Sequence, residues 1–229
     1  GLNRVSWDLS MDPAFQRKPP DPAFIEFRGG PRGPMVLPGI YTVRLTFDHQ
    51  AYEEQVEVDI DPLVQVSQAD LEEQFRIASE LIAMQSTLNR GLRGMDVVAE
   101  QLEARRQTAE RMEIELSAEL KAEWKQHVDA ATELMDALAR AEGKPFWSQG
   151  PRLGEQLGNL FGNVDSQFAA PTAAQLDLLA ELREEYEVMV GELTRFFEES
   201  VPFFNSTLSN AGIPEVAIPN LKDARAESD

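Results

Sequence analysis

The chain has 229 residues, with 40 acidic against 21 basic side chains and a formal charge of −19. Such a surface repels phosphate and anionic lipid, so nucleic acid is not an expected partner. The lack of cysteine removes disulfides, thiolate metal sites and cysteine nucleophiles, while 42% hydrophobic residues are enough for a real core.

Residues 1–64 read as a β module. Val5, Trp7 and Leu9 alternate with polar residues, which predicts a strand over Arg4–Leu9 with one buried face. A loop rich in Pro and Gly runs from Pro13 to Pro38 and is expected to be an exposed excursion, with a short strand at Phe24–Phe27. The clearest strand follows over Ile40–Phe47. Tyr41, Val43, Leu45 and Phe47 share one face, and Thr42, Arg44 and Thr46 the other. A tight turn at Asp48-His49-Gln50 leads to a return strand over Tyr52–Ile60. The result is a hairpin with one solvated face.

The period changes at Ser67, an N-cap with Asp70 in the first turn. Residues 67–213 read as a long antiparallel helical bundle. Leu71, Phe75, Ala78, Ile82 and Leu88 predict a helix to about Asn89, interrupted by Gly91 and Gly94. A second helix is expected from Met95 to about Glu115. A third, through Leu116, Leu120, Trp124, Val128, Ala131, Met135 and Leu138, stops near Gly143. No Gly or Pro separates the second from the third, so one continuous helix stays an open alternative. Leu153, Leu157, Leu160, Phe161 and Val164 predict a short helix despite three glycines. Thr172 caps the last long helix, through Leu176, Leu179, Leu182, Tyr186, Met189, Leu193 and Phe197. Pro202 is expected to kink or restart it, and Phe203, Phe204 and Leu208 carry it on to Gly212. Residues 214–229 read as a flexible tail. The fold class is therefore α+β, mainly α, with the bundle preceded by a partial β module. Narrow apolar stripes with charged outer faces favour up-and-down packing.

Gly1-Leu2-Asn3-Arg4-Val5-Ser6-Trp7-Asp8-Leu9 and Leu37-Pro38-Gly39-Ile40-Tyr41-Thr42-Val43-Arg44-Leu45 resemble a motif of the form G-x-N-x-V-x-W-D-L … P-P-G-x-Y-x-V-x-L. That motif belongs to the immunoglobulin-like module after the β-propeller of bacterial sortilin-like, neuraminidase-repeat proteins, often labelled glycosyl hydrolase. Asp61-Pro62, the stretch from Ser67 to Phe75, Pro171-Thr172-Ala173-Ala174-Gln175 and Ala211-Gly212-Ile213-Pro214 are similar to later landmarks of that family. Leu37 departs from the pattern, which has a second proline there. The resemblance covers most of the chain and rests on structural motifs. It implies an extracytoplasmic, periplasmic or secreted location and an N-terminal propeller of the parent chain as partner. It brings no catalytic residue onto this chain, which has no propeller.

An immunoglobulin-like sandwich needs about seven strands, and three are evident. The apolar face of Trp7, Tyr41, Val43 and Val58 then lacks an opposing sheet. Either bundle helices cover it, or strands preceding Gly1 do; the second is expected, since the resemblance implies strands before the one at Trp7. Residues added upstream are expected to raise stability and reduce self-association.

Side chains for catalysis, cofactor binding or metal binding do not assemble into a recognisable pattern. Paired carboxylates such as Glu72-Glu73 and Glu184-Glu185-Tyr186-Glu187 lie at the spacing of solvated helix faces. A di-iron bundle needs Glu-x-x-His on two helices, and the two histidines are His49 in the hairpin turn and His127, four residues after Glu123. Trp124, Phe161, Phe196 and Phe204 fall at core spacings, and Trp147 is expected to cap the bundle end. No nucleophile elbow or phosphate-binding loop is present. No run approaches the roughly 20 apolar residues of a membrane span, and no signal peptide is visible. The reading that results is a non-catalytic structural and interaction module of a larger propeller protein. Two others compete with it: a part that positions a glycoside hydrolase-like propeller, and a stand-alone helical adaptor.

Overall fold

The computed structural model describes residues 4–113, 116–140, 148 and 150–220. The protein is mainly helical and carries a two-stranded antiparallel sheet.

The hairpin pairs β1 (Gly39–Phe47) with β2 (Gln50–Val58), in register from Gly39↔Val58 to Phe47↔Gln50. Asp48 and His49 alone connect the strands, and both have positive φ (49° and 62°). A two-residue turn of that hand matches the twist of the strands it joins. Ahead of the hairpin, the expected strand over Arg4–Leu9 does not form. Leu9 turns the chain with φ 61°, and the backbone pairs only briefly. There the Val36 N–H donates to the Leu9 carbonyl at 2.9 Å and the Met11 N–H to the Pro34 carbonyl at 2.8 Å. The expected strand at Phe24–Phe27 is instead helix α1 (Pro22–Arg28). Asp21 accepts from the Ala23 N–H at 2.9 Å, and Pro22 occupies the first turn, where its missing N–H is no loss.

The loop between Pro13 and Pro38 is not a free excursion. The Phe15 N–H donates to Ser86 Oγ at 3.1 Å and Asn89 Nδ2 to the Phe15 carbonyl at 2.7 Å. Arg17 grips Asp96 with two hydrogen bonds, 2.8 and 2.6 Å, and the Arg90 guanidinium lies 5.3 Å over the Phe15 ring. The loop is thereby strapped along the first long helix, and Ala14 is buried.

That helix, α2 (Gln68–Arg111), has 44 residues and is roughly 66 Å long at 1.5 Å per residue. Ser67 caps it by accepting from the Asp70 N–H at 3.1 Å. The break expected at Gly91 and Gly94 is absent. Both are buried, and a Cβ on Gly91 would lie 2.7 Å from Leu193 Cδ1, so this glycine serves close helix packing. The break falls instead between the expected second and third helices, close to the boundary read at Glu115 and Leu116, and the continuous alternative is excluded. Glu113 takes φ 54° just past the helix end, a position usually given to glycine. Ser117 then caps α3 (Ala118–Leu138), accepting from the Leu120 N–H at 3.1 Å.

Helix α4 (Leu153–Asp165) runs antiparallel to α2: Gln74 of α2 donates to the Val164 carbonyl at 2.8 Å, and Gln85 to the Gly154 carbonyl at 3.4 Å. The N-terminus of α4 meets the end of α3 through Glu155, which accepts from the Arg152 N–H at 2.8 Å and the Arg140 N–H at 3.4 Å. Helix α5 (Ala173–Arg195) starts in a reciprocal Thr172–Gln175 capping box, 2.8 and 3.3 Å. It runs on through a π-helical turn (Phe196–Ser200) into α6 (Val201–Asn210). Pro202 has no N–H to continue the ladder, and the wider turn before it absorbs the mismatch. Arg183 binds Glu80 at 2.6 Å and Leu193 packs on Gly91, so α5 rises parallel to α2.

The bundle thus has three limbs. α2 rises along its length, α3 and then α4 descend, and the line of α5, the π turn and α6 rises again. One continuous core follows all three, from Ile77 and Leu157 to Trp124, Phe204 and Leu208. Gly212 ends α6 with φ 73°. The Ile213 N–H returns to the Leu208 carbonyl at 2.9 Å and the Gly212 N–H to Ser209 at 3.0 Å, with Ile213 and Leu208 both buried. This closed cap explains why the residues just beyond it do not fray. Asn205 exchanges two hydrogen bonds with Val216, both 2.9 Å. Gln101 does the same with Ala217, at 2.9 and 2.8 Å. The tail expected from residue 214 is therefore a strap across the bundle at its start.

Candidate interaction surface

Residues directly opposite in an antiparallel ladder share a face. The register puts Tyr41 with Val56, Leu45 with Tyr52 and Phe47 with Gln50 on one side, and Thr42 with Gln55 and Arg44 with Glu53 on the other. The polar side is held by an Arg44–Glu53 pair at 2.6 Å. On the apolar side Leu45 is 61% exposed, Phe47 72% and Tyr52 55%. No bundle helix covers this face among the described residues, and each strand has one unpaired edge. Both features invite a further chain, because an open edge offers unsatisfied N–H and C=O groups and an exposed apolar face gains by losing water.

Partial cover exists at the base of the hairpin. The Trp7 ring meets Tyr41 edge-on at 5.3 Å, and the Tyr41 hydroxyl donates to the Leu37 carbonyl at 2.7 Å. The joint with the bundle lies below, around a cavity of about 110 Å³ lined by Leu9, Val36, Leu71, Phe75 and Phe168. Asp165, at the end of α4, is 4% exposed there. Its Oδ1 accepts from the Met35 N–H at 3.0 Å, while Oδ2 is buried without a partner among the described residues. Burial pushes the Asp165 carboxyl above its ordinary range, opposed by the Met35 bond and the Arg32 charge. Gln74 donates to the Val164 and Gln167 carbonyls beside it. Sequence reading did not single out Asp165 among 40 acids. The available signal was its position, four residues after Phe161 and eight after Leu157, on the shoulder of the apolar stripe of α4.

The polar residues weighed in the sequence lie apart. His49 is exposed at the hairpin tip, and Glu72, Glu184, Glu185 and Glu187 are exposed on helix surfaces. Glu73 pairs with Arg76 at 2.7 Å, which holds its carboxyl below the ordinary range. His127 is half-buried on α3, its ring 4.5 Å from that of Phe204. Trp124 packs edge-on against Phe204 at 5.4 Å, and Phe161 and Phe196 flank the core. Trp147 and its expected capping role fall outside the described residues. Among those described, no group of three or more His, Asp or Glu is arranged to hold a metal ion, and no helix is long and apolar enough to cross a membrane. Comparison with protein-family models, with curated proteins and with solved structures returns no match for this chain.

Proposed function

We propose that this chain is a non-catalytic structural and interaction module of a larger bacterial protein, in which the helical bundle carries a hairpin that joins a neighbouring β structure. The observation that carries this reading is the uncovered apolar face of the hairpin, with Leu45, Phe47 and Tyr52 more than half exposed. A two-stranded hairpin alone is marginal in water, and three or more strands or a packed helix stabilise it. Residues 1–9 and 37–45 resemble the module that follows the propeller in sortilin-like proteins. The neighbour suggested on that ground is a propeller-borne β segment of the parent chain, outside the cytoplasm.

Light scattering of the chain beside a Leu45→Lys, Phe47→Lys variant tests the interaction role. An uncovered face makes the parent self-associate at tens of micromolar, on the order expected of a modest apolar contact, and makes the variant monomeric with unchanged helical circular dichroism. A parent chain that is strictly monomeric would sink the reading.

A further inference from the structure

We propose that the bundle contains a small-molecule site: the cavity between α2, α3 and the π-helical turn takes an uncharged apolar ligand the size of a fused bicycle or a short alkyl chain. The cavity measures about 230 Å³. A cavity of ~150 Å³ lined by aliphatic and aromatic groups stays dry and holds a benzene ring, so this one has room for an alkyl chain of about eight carbons.

Its origin lies in side-chain size. The inner face of α3 carries buried Leu120 and Trp124 toward one end and Leu138 at the other, while Ala131 stands between Trp124 and Leu138. Small Ala99 faces it from α2, and both line the space. Large residues thus hold α3 off the other limbs at two points and leave a gap in the middle. The π-helical turn brings Phe196 and Val201, five residues apart, to one wall. Turns of this kind recur where a helix is shaped around a site. Val216 closes another wall and is 3% exposed, fixed there by the Asn205 and Gln101 amides. The mouth is bounded by exposed Ala99 and Glu103 on α2 and exposed Val128 and Thr132 on α3.

Two features select the ligand's charge. His127 lines the cavity, and its ring nitrogens meet no hydrogen-bond partner among the described residues. Burial holds the imidazole below its ordinary range, against the pull of Glu123, so it offers one donor and one acceptor without charge. Glu103 stands ionised at the mouth, its carboxyl lowered to about 2 by Arg106 and Gln107. Arg106 is shared between Glu103 and Glu110, so these three groups leave one net negative charge beside the mouth, and with a chain charge of −19 a carboxylate is disfavoured there. The fitting occupant has an apolar body and a neutral polar end, such as an alcohol, which His127 or Thr132 can bind.

Titration calorimetry and thermal melts at pH 7 with 1-octanol and with octanoate test the site. The expected result is saturable binding of one octanol per chain with a rise in Tm, and octanoate weaker by at least about tenfold. Ala131→Phe fills the cavity and should abolish binding while the fold is kept. Ala131→Leu, a smaller intrusion, should weaken binding if the larger ring is not accommodated. Leu45→Lys on the hairpin should bind octanol as the parent does. Absence of saturable binding, equal affinity for octanoate, undiminished binding in both Ala131 variants, or loss of binding in Leu45→Lys would each overturn the proposal.

Discussion

Asp165 shows how much one buried oxygen decides. Its Oδ1 is used by Met35 and its Oδ2 meets no partner among the described residues, so the charged form is penalised by burial and the carboxyl is pushed up. The sign follows from linkage. Between the ordinary carboxylate range and the raised folded value, the folded chain holds a proton that the unfolded chain has released. Stability is therefore greatest below that window and falls as pH rises through it. Asp165→Asn keeps the acceptor for Met35 and removes the charge. It should raise stability at pH 7 by about 1 kcal/mol, the low end of an unsatisfied buried polar group, and flatten the fall of Tm as pH rises above the ordinary carboxylate range. An unchanged slope in thermal melts would show that Asp165 is not the titrating group.

At the scale of elements, the caps and the boundary between α2 and α3 are legible in the sequence, and the backbone that makes the corner is not. Ser67 and Thr172 announce α2 and α5 because a hydroxyl before an apolar stripe has few other local uses. Gly91 and Gly94 read as a break, since the closeness of Gly91 to Leu193 is invisible without the partner helix. The real corner is built on Glu113, whose left-handed backbone costs roughly 1–2 kcal/mol for a residue with a Cβ. Glu113→Gly should therefore stabilise the chain by about 0.5–1 kcal/mol, since glycine's greater freedom in the unfolded chain takes back part of the relief. A denaturant melt with a lower midpoint would show that the corner does not limit stability. The strap at 213–217 escaped sequence reading for a similar reason. Gln101 and Asn205 act by mimicking a strand edge, and the Gln101 pairing spans 116 residues.

For the whole molecule, alternation and helical period were enough to separate hairpin from bundle and to assign a mainly helical α+β class, which the structure bears out. They could not reveal that the segment around Phe15 and Arg17 is tied to α2, because those bonds cross from one region to the other. Charge is the remaining global quantity. Surface pairs such as Arg76–Glu73 and Arg183–Glu80 contribute about 0–1 kcal/mol each and weaken with salt. Against them stands the self-repulsion of 40 acids facing 21 bases. The repulsion prevails, so Tm should rise as NaCl increases from about 20 to about 200 mM, over which screening shortens several-fold. A Tm that falls over that range would mean that the pairs dominate.

The descending limb differs from the other two in being made of two pieces. In α3 the buried side chains are Leu120, Trp124 and Leu138 out of 21 residues. In α4 they number five of 13. Sub-global opening should therefore reach α3 before α4, which keeps its packing on α2. Amide hydrogen exchange would then separate two protection tiers within what circular dichroism reports as one helical bundle. The molecule would behave as a firm lower half joined to a breathing upper half, with α3 as the leaf that swings.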